Sequence, residues 1–198
     1  MPDTLVLGFD TSAAHCAVAL LSGERIIVSK LEQMQRGQAE RLMPLLQEVL
    51  NEADVTWQDL TAIGVGTGPG NFTGIRIAVS AARGLALGLG IRAVGVSGCQ
   101  ARSLLDPTGV CAIPAPRDQV YLCDRNDPGA IPKLMALTEA ETVAGQPVLA
   151  APCPQGLAEA IARVAAANWQ TETRSPAPVY ARAADAAPSR DTPPVLLD

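Results

Sequence analysis

Three short apolar runs open the pattern of hydrophobic and polar positions along this chain. They are separated by polar or glycine-containing turns and read "TLVLGFD" (Thr4–Asp10), "CAVALLS" (Cys16–Ser22) and "RIIVSKL" (Arg25–Leu31). Short apolar runs bounded by turns are typical of β-strands, and such brief connections join antiparallel neighbours. The pattern therefore predicts a three-stranded meander.

Two helical patterns then alternate with two more strands. Apolar residues recur every three or four positions in Gln38–Ala53 and in Thr73–Leu89, as they do in amphipathic helices. The runs Leu60–Gly66 and Ile91–Val96 are short and apolar, which is typical of strands. Because each connection is long enough for a helix, these last strands are expected to run parallel. The predicted order is βββαβαβ with a mixed sheet, and Pro44 predicts a bend or a later start in the first helix.

The second half of the chain carries weaker patterns. We place a boundary near residue 105, which gives predicted domains 1–105 and 106–198. Ser97 is expected to cap a short helix just before this boundary, and Gly156–Asn168 is a helical pattern beyond it. From Thr171 the chain is rich in Pro, Ala, Ser and Asp, a composition typical of a loosely ordered tail.

Charge and cysteine content narrow the class of protein. A formal net charge of −5 argues against strong unassisted binding to nucleic acid, which needs clustered Lys and Arg. The five cysteines form no CxxC pair and leave an odd count, which predicts buried free thiols in a reducing cytoplasm.

No charged-then-apolar leader stands at Met1, and glycine and arginine interrupt the longest apolar stretches. Neither a signal peptide nor a membrane span is predicted, and a cytoplasmic location is expected.

The glycine-rich stretch "GTGPGNFTGIR" (Gly66–Arg76) is the first candidate for chemistry. A phosphate-binding P-loop needs a lysine that this stretch lacks, and a dinucleotide fingerprint would need glycine where Asn71 stands. The remaining interpretation is a tight turn from strand to helix. Thr73 is the expected cap of that helix, and Phe72 is expected to tuck beneath it.

Other candidate catalytic residues are few. His15 is the only histidine, which excludes metal sites built on paired histidines, and a structural role is the more common one for a lone histidine. Asp10 could bind Mg²⁺ or orient a water, but Asp-Thr-Ser at the end of a strand equally forms a turn. We predict no catalytic residue and no metal ligand in this chain.

The second helix has an unusually wide apolar surface. Gly74, Ala78, Ala81 and Leu85 share one face, and apolar residues flank this stripe on both sides. The apolar arc is wider than a single sheet would bury. Two interpretations stay open: the stripe packs in the chain's own core, or a partner protein covers it.

Four segments, in their order along the chain, are similar to the TsaB (YeaZ) family of bacterial tRNA threonylcarbamoyladenosine synthesis. They read "LVLGFDTSAAHCAVALL", "RGQAERLMPLLQEVL", "GTGPGNFTGIRIAVSAARGLALGL" and "AVGVSG". The resemblance spans residues 4–124, and "PVYAR" (178–182) is similar to a later motif. It implies an actin-like ATPase (ribonuclease H-like) fold, with a βββαβαβ first domain and a reduced, degenerate second domain.

The resemblance also implies a function and its surfaces. TsaB proteins are non-catalytic subunits that support TsaD, the threonylcarbamoyl transferase, with TsaE as an associated ATPase. The helices of the first domain form the family's partner interface, which here corresponds to Met43, Leu46, Leu50, Gly74, Ala78, Ala81 and Leu85. The signature turn corresponds to Gly68, Pro69, Gly70, Asn71, Phe72, Thr73, Gly74 and Arg76. A homodimer through the same helices is also possible.

Further expectations concern ligands and departures from the family pattern. ATP and a divalent metal are expected to bind only to the partner subunits. The chain is expected to contact tRNA only as part of the complex and not to associate with a membrane. Gln38 stands where the family often has histidine, and Pro114 and Pro116 replace the usual Asp and Arg. Two alternatives remain: a hydrolase or ATPase of the same fold acting on its own, and a sugar-kinase-like enzyme.

Overall fold

A computed structural model describes residues 4–107, 109–124, 126–148, 150–151 and 153–181 of the chain. Its elements are β1 (Leu5–Asp10), β2 (His15–Ser22), β3 (Arg25–Gln33), α1 (Gln38–Glu52), β4 (Ala62–Gly66), α2 (Phe72–Leu89), β5 (Arg92–Val96), α3 (Gly98–Leu105), β6 (Ala112–Ala115), β7 (Gln119–Leu122), β8 (Lys133–Ala136), α4 (Leu137–Ala144) and α5 (Leu157–Asn168).

The first five strands form one mixed sheet in the order β3-β2-β1-β4-β5. β1 pairs antiparallel with β2, and β2 with β3, while β4 runs parallel to both β1 and β5. The predicted βββαβαβ order is therefore confirmed. Pro44 lies inside α1, which begins at Gln38, so the helix does not start later than the pattern indicates.

Alternate residues of the central strands face opposite layers of helices. Leu5, Leu7 and Phe9 of β1 belong to a core shared with the leucines of α1 and the apolar face of α2. Val6 points the other way, into a second core formed with α5. Because both faces are covered, β1 is buried along its whole length.

α5 approaches this sheet closely because two paired glycines leave room for it. Gly8 and Gly64 lie opposite each other in register. A Cβ atom on Gly8 would stand 2.6 Å from the carbonyl oxygen of Ala158, and one on Gly64 would stand 2.8 Å from the Cβ of Ala165. The helix predicted for the second domain thus completes the core of the first sheet, and the division at residue 105 stays a prediction.

The residues after α3 form a small antiparallel sheet in the order β6-β7-β8. Pro114 lies in β6, which is an edge strand, and edge strands tolerate proline because one side of their backbone needs no partner. The capping box of Ser97 and Gln100 begins α3, which confirms the predicted cap.

The prediction that all five cysteines are free is wrong for one pair. Cys99 of α3 and Cys123, just after β7, form a disulfide between residues 24 positions apart. Spacing alone could not indicate this pair, because the fold brings α3 beside the small sheet. The cysteine pattern by itself therefore does not indicate a reducing compartment.

The chain after Thr171 is partly fixed against the first sheet, which corrects the predicted loose tail as far as residue 181. The N–H of Val179 donates to the carbonyl of Thr67 at 2.8 Å, and Pro176 packs beside Gly95. We call residues 172–181 the C-terminal segment. Residues 182–198, which complete the predicted tail, lie outside the described residues.

α2 is long and apolar enough to cross a membrane by length and composition alone, and here it lies against the sheet. Gly74 and Ala78 lie on the buried side of α2, and Leu46 and Leu50 lie on the buried side of α1. These four residues, which were expected to belong to a partner surface, are buried within the chain itself, and a role for them at an interface stays a prediction. Ala81 and Leu85 are only partly buried.

Replacing Ala78 by Arg is expected to unfold the protein or destabilise it by about 3–5 kcal/mol, because Ala78 is 0% exposed and the guanidinium would have no partner there. Ser80→Arg on the exposed face of α2 is the matched control and should change the free energy of unfolding by less than about 0.5 kcal/mol. Urea unfolding followed by circular dichroism measures both. An Ala78→Arg variant as stable as Ser80→Arg would show that the stripe is not core.

Candidate functional site

The signature turn connects β4 to α2 and includes a cis peptide bond between Gly68 and Pro69. α2 begins at Phe72, and its cap is Asn71, whose side chain accepts a hydrogen bond from the N–H of Gly74 at 2.8 Å. The prediction of Thr73 as the cap is therefore wrong by two positions. Asparagine satisfies a free N–H of the first helical turn as well as threonine does.

The glycines of this turn serve close backbone packing. A Cβ atom on Gly74 would collide with the carbonyl oxygen of Thr11, and one on Gly70 with that of Ser12. The N–H of Asn71 donates to Ser12 O at 2.6 Å, and the hydroxyl of Thr11 donates to Gly74 O at 2.7 Å. The N–H groups of Asn71 and Gly74 thus bind the chain itself, which differs from a phosphate cradle.

Phe72 does not tuck beneath the helix. It is 36% exposed and stacks on the ring of Tyr180 at a centroid distance of 4.9 Å. The guanidinium of Arg76 lies 3.8 Å from the centre of the Phe72 ring, and its Nε donates to the hydroxyl of Tyr180 at 2.9 Å. This contact joins the signature turn to the C-terminal segment on the molecular surface.

A buried ion pair lies at the end of β1. His15 Nε2 is 2.7 Å from Asp10 Oδ1, and the two residues are 1% and 3% exposed. The same carboxylate oxygen accepts from the N–H and the hydroxyl of Ser12, each at 2.8 Å. His15 Nδ1 makes no hydrogen bond within the described part of the chain. Sequence alternation could have found this pair, since it places both side chains on the sheet face that α5 covers.

Burial and pairing act in opposite directions on both groups. Burial lowers the pKa of His15, but its hydrogen bond to Asp10, with Cys153 close by, raises the pKa to about 9 overall. Burial raises the pKa of Asp10, and the interactions with His15 and Ser12 outweigh it, so this pKa is lowered. The pair is therefore ionised near neutral pH.

A cleft of about 300 Å³ opens beside this pair, between the first sheet and the small sheet. Its lining includes Asp10, Gln38, Arg102, Pro114 and Pro116. The two prolines bring no charged group to the cleft. Its Asp, Glu, Lys and Arg side chains within the described residues are Asp10, which is paired with His15, and the buried Arg102, which donates to the carbonyl of Ala151 at 2.7 Å.

This lining supplies little for catalysis. Asp10 Oδ1 accepts from three donors, and the pKa of the carboxyl is lowered by its interactions with His15 and Ser12, so Asp10 is a weak base for taking a proton from a substrate. Among the residues described, no three His, Cys, Asp or Glu side chains are grouped as metal ligands would be. The expectation of no catalytic residue stays a prediction.

The second candidate surface is the seam between α1 and α2. Arg41 on one flank of α1 binds Glu32 of β3, and helical spacing places Met43 on the opposite flank, away from β3. On α2, Ile77, Ala81 and Leu85 are partly buried, and they pack against the hydrophobic core to which both α1 and α2 contribute. Met43 is 40% exposed. We call these four residues, Met43, Ile77, Ala81 and Leu85, the α1–α2 seam.

Comparison with known proteins shows the family. The family model described as "TsaD: tRNA N6-adenosine threonylcarbamoyltransferase" matches residues 32–172, which is most of the chain. The chain belongs to that family, and within it to the TsaB (YeaZ) group. The Escherichia coli "tRNA threonylcarbamoyladenosine biosynthesis protein TsaB" is 36% identical over 92 residues, which are 46% of this chain and 39% of that protein. The chain therefore spans less than half the length of the curated TsaB relatives that it matches.

Two further relatives match over nearly the whole chain. An uncharacterized protein of Mycobacterium bovis is 30% identical over 92% of this chain and 94% of its own. A crystal structure of an uncharacterized Pseudomonas aeruginosa protein, described as similar to peptidase YeaZ, superimposes with a TM-score of 0.71 at 26% identity. The superposition covers 90% of this chain and 100% of the Pseudomonas aeruginosa chain. The mixed sheet with helices on both faces is thus the predicted actin-like ATPase (ribonuclease H-like) fold.

The buried pair makes stability depend on pH in a defined direction. Because folding raises the pKa of His15 from its usual 6.5 to about 9, its contribution is complete below pH 6.5 and is lost as pH rises through 9. Asp10 acts in the opposite sense, since its lowered pKa gives stability that is lost only in acid. Between pH 6.5 and 9 the free energy of unfolding should fall by on the order of 2–3 kcal/mol.

His15→Gln is the matched variant for this measurement, because glutamine can donate a hydrogen bond to Asp10 but does not titrate. Urea unfolding at intervals between pH 6 and 9.5 should show a flatter profile for the variant. Since His15 is the only histidine, equal slopes for the two proteins would show that the pair is not ionised.

Proposed function

We propose that this chain acts in tRNA threonylcarbamoyladenosine formation as a non-catalytic subunit that binds a TsaD-like transferase. The names of its relatives support the pathway. The observation that carries the role is the α1–α2 seam, an apolar surface on two helices that the chain's own fold leaves partly open. The alternative of an independent hydrolase or ATPase is not favoured, because the cleft beside Asp10 presents no free acid, base or phosphate-binding lysine.

The seam suits helix packing. Gly84 and Gly88 lie on the outer face of α2 beside it, and a Cβ atom on either would have no neighbour within 4 Å. Small residues allow another helix to approach closely, and Met43 adds an adaptable apolar side chain at the edge. We assign the seam to the transferase subunit. A homodimer through the same surface would compete with it, and a TsaE-like ATPase would join the resulting complex.

Met43→Arg is expected to weaken binding to the organism's own TsaD-like subunit by at least about 30-fold, because a charge would be buried at the edge of an apolar interface. Isothermal titration calorimetry or a co-purification series measures this. Unfolding curves should be unchanged, since Met43 already contacts solvent.

Leu87→Arg is the control on the other flank of α2, where Leu87 is 86% exposed. It should leave the affinity within about threefold of the unmodified chain, a change of about 0.7 kcal/mol. The reverse result, with loss of binding only in Leu87→Arg, would move the interface away from the seam. If both variants bind the partner as the unmodified chain does, neither flank is the docking surface. A homodimer disrupted by Met43→Arg with partner binding intact would assign the seam to self-association.

A further inference from the structure

The flank of α2 opposite the seam borders a groove that the docking role does not use. Two adjoining clefts, of about 650 Å³ and 460 Å³, lie between α2, the start of β5 and the C-terminal segment. Arg83 lines both of them, so they form one continuous surface. We call it the arginine groove.

Four arginines line this groove. Arg76 and Arg83 lie seven residues apart on α2, which places them about 10 Å apart along the helix on one face. Arg92 and Arg174 line the wall opposite Arg83. Glu172 is the only carboxylate in the lining, so the groove has a surplus of three positive charges.

The four guanidinium groups differ in how far the fold already uses them. Arg92 donates to three carbonyls in the segment that follows α5, the shortest at 2.9 Å to Glu172 O. Arg174 is 88% exposed and pairs with Glu172 at 3.3 Å. Arg83 is exposed and has no hydrogen bond or ion pair within the described residues. It is the cation most available to a ligand.

The position of these charges is unusual for this chain. The whole sequence has a net charge of −5, yet α2 contains no Asp or Glu among its 18 residues. A guanidinium fork matches the oxygens of a phosphate group, and a row of them along a groove suits a chain of phosphates more than a single small anion.

We propose that the arginine groove is a contact surface for the phosphate backbone of tRNA, with Arg83 as its central cation. RNA is favoured over an acidic protein because the chain's family modifies tRNA; to that extent the inference rests on the proposed function. Three surplus charges give weak binding, so this surface adds to the affinity of an assembled complex and does not recruit tRNA by itself. None of its four arginines belongs to the α1–α2 seam, although Gly84 lies between the two surfaces.

The test measures binding of an unmodified tRNA transcript to the full chain alone, by fluorescence anisotropy from 50 to 200 mM salt. We expect a Kd of about 10–100 µM at the lowest salt, and a slope of log K against log salt of about −2 to −3. Arg83→Gln should weaken binding about 3- to 10-fold and make the slope shallower by about one. Arg174→Gln, at a separate exposed position, should act in the same direction.

Arg25→Gln is the matched control, because it removes one exposed charge from β3 at the opposite edge of the sheet. It should change the affinity less than twofold. Equal losses in Arg25→Gln and Arg83→Gln, or no binding at 50 mM salt, would overturn the proposal. Binding of poly-glutamate that depends on Arg83, with tRNA binding unchanged, would also overturn it and assign the groove to an acidic protein. Met43→Arg should bind tRNA normally, so a failed docking surface and a failed groove give different results.

Discussion

The contact between the signature turn and the end of β1 fixes much of the rest of this structure. Thr11 and Ser12 press against Gly74 and Gly70 so closely that no side chain fits at either glycine. Two reciprocal hydrogen bonds hold the approach, one from the Asn71 N–H to the carbonyl of Ser12 and one from the Thr11 hydroxyl to the carbonyl of Gly74. Because α2 starts at this contact, its rotation about its own axis is set there, and with it the choice of residues that face the core.

That rotation gives the two flanks of α2 different chemistry. One flank continues the apolar core outwards to meet α1, and the other carries arginines towards the C-terminal segment. Tyr180 joins the second flank to the turn through Arg76 and Phe72. The two flanks of α2 therefore differ in surface chemistry, one apolar and the other cationic.

The buried pair of Asp10 and His15 shows how the fold has used a position that could carry chemistry. An aspartate at the end of the first strand faces the cleft, but its charge is balanced by the imidazole and by Ser12. Removing one member of such a pair leaves a buried charge without a partner, which costs more than the pair contributes. The arrangement therefore supports a structural role for both residues.

The sequence by itself determined the order of the first seven elements, because strand and helix periodicities are local and each run is bounded by its own turn residues. The wide apolar arc of α2 was also visible in the sequence, but what covers each part of it was not. Ala78 is buried against strands far away in the chain, while Ala81 and Leu85, one and two turns further along the helix, are only partly buried. The same limit applies to α5, which packs on glycines about 150 and 100 residues earlier, and to the Cys99–Cys123 disulfide. These contacts join segments distant in sequence, and only the tertiary structure decided them, because no local pattern records which distant surface a residue will meet.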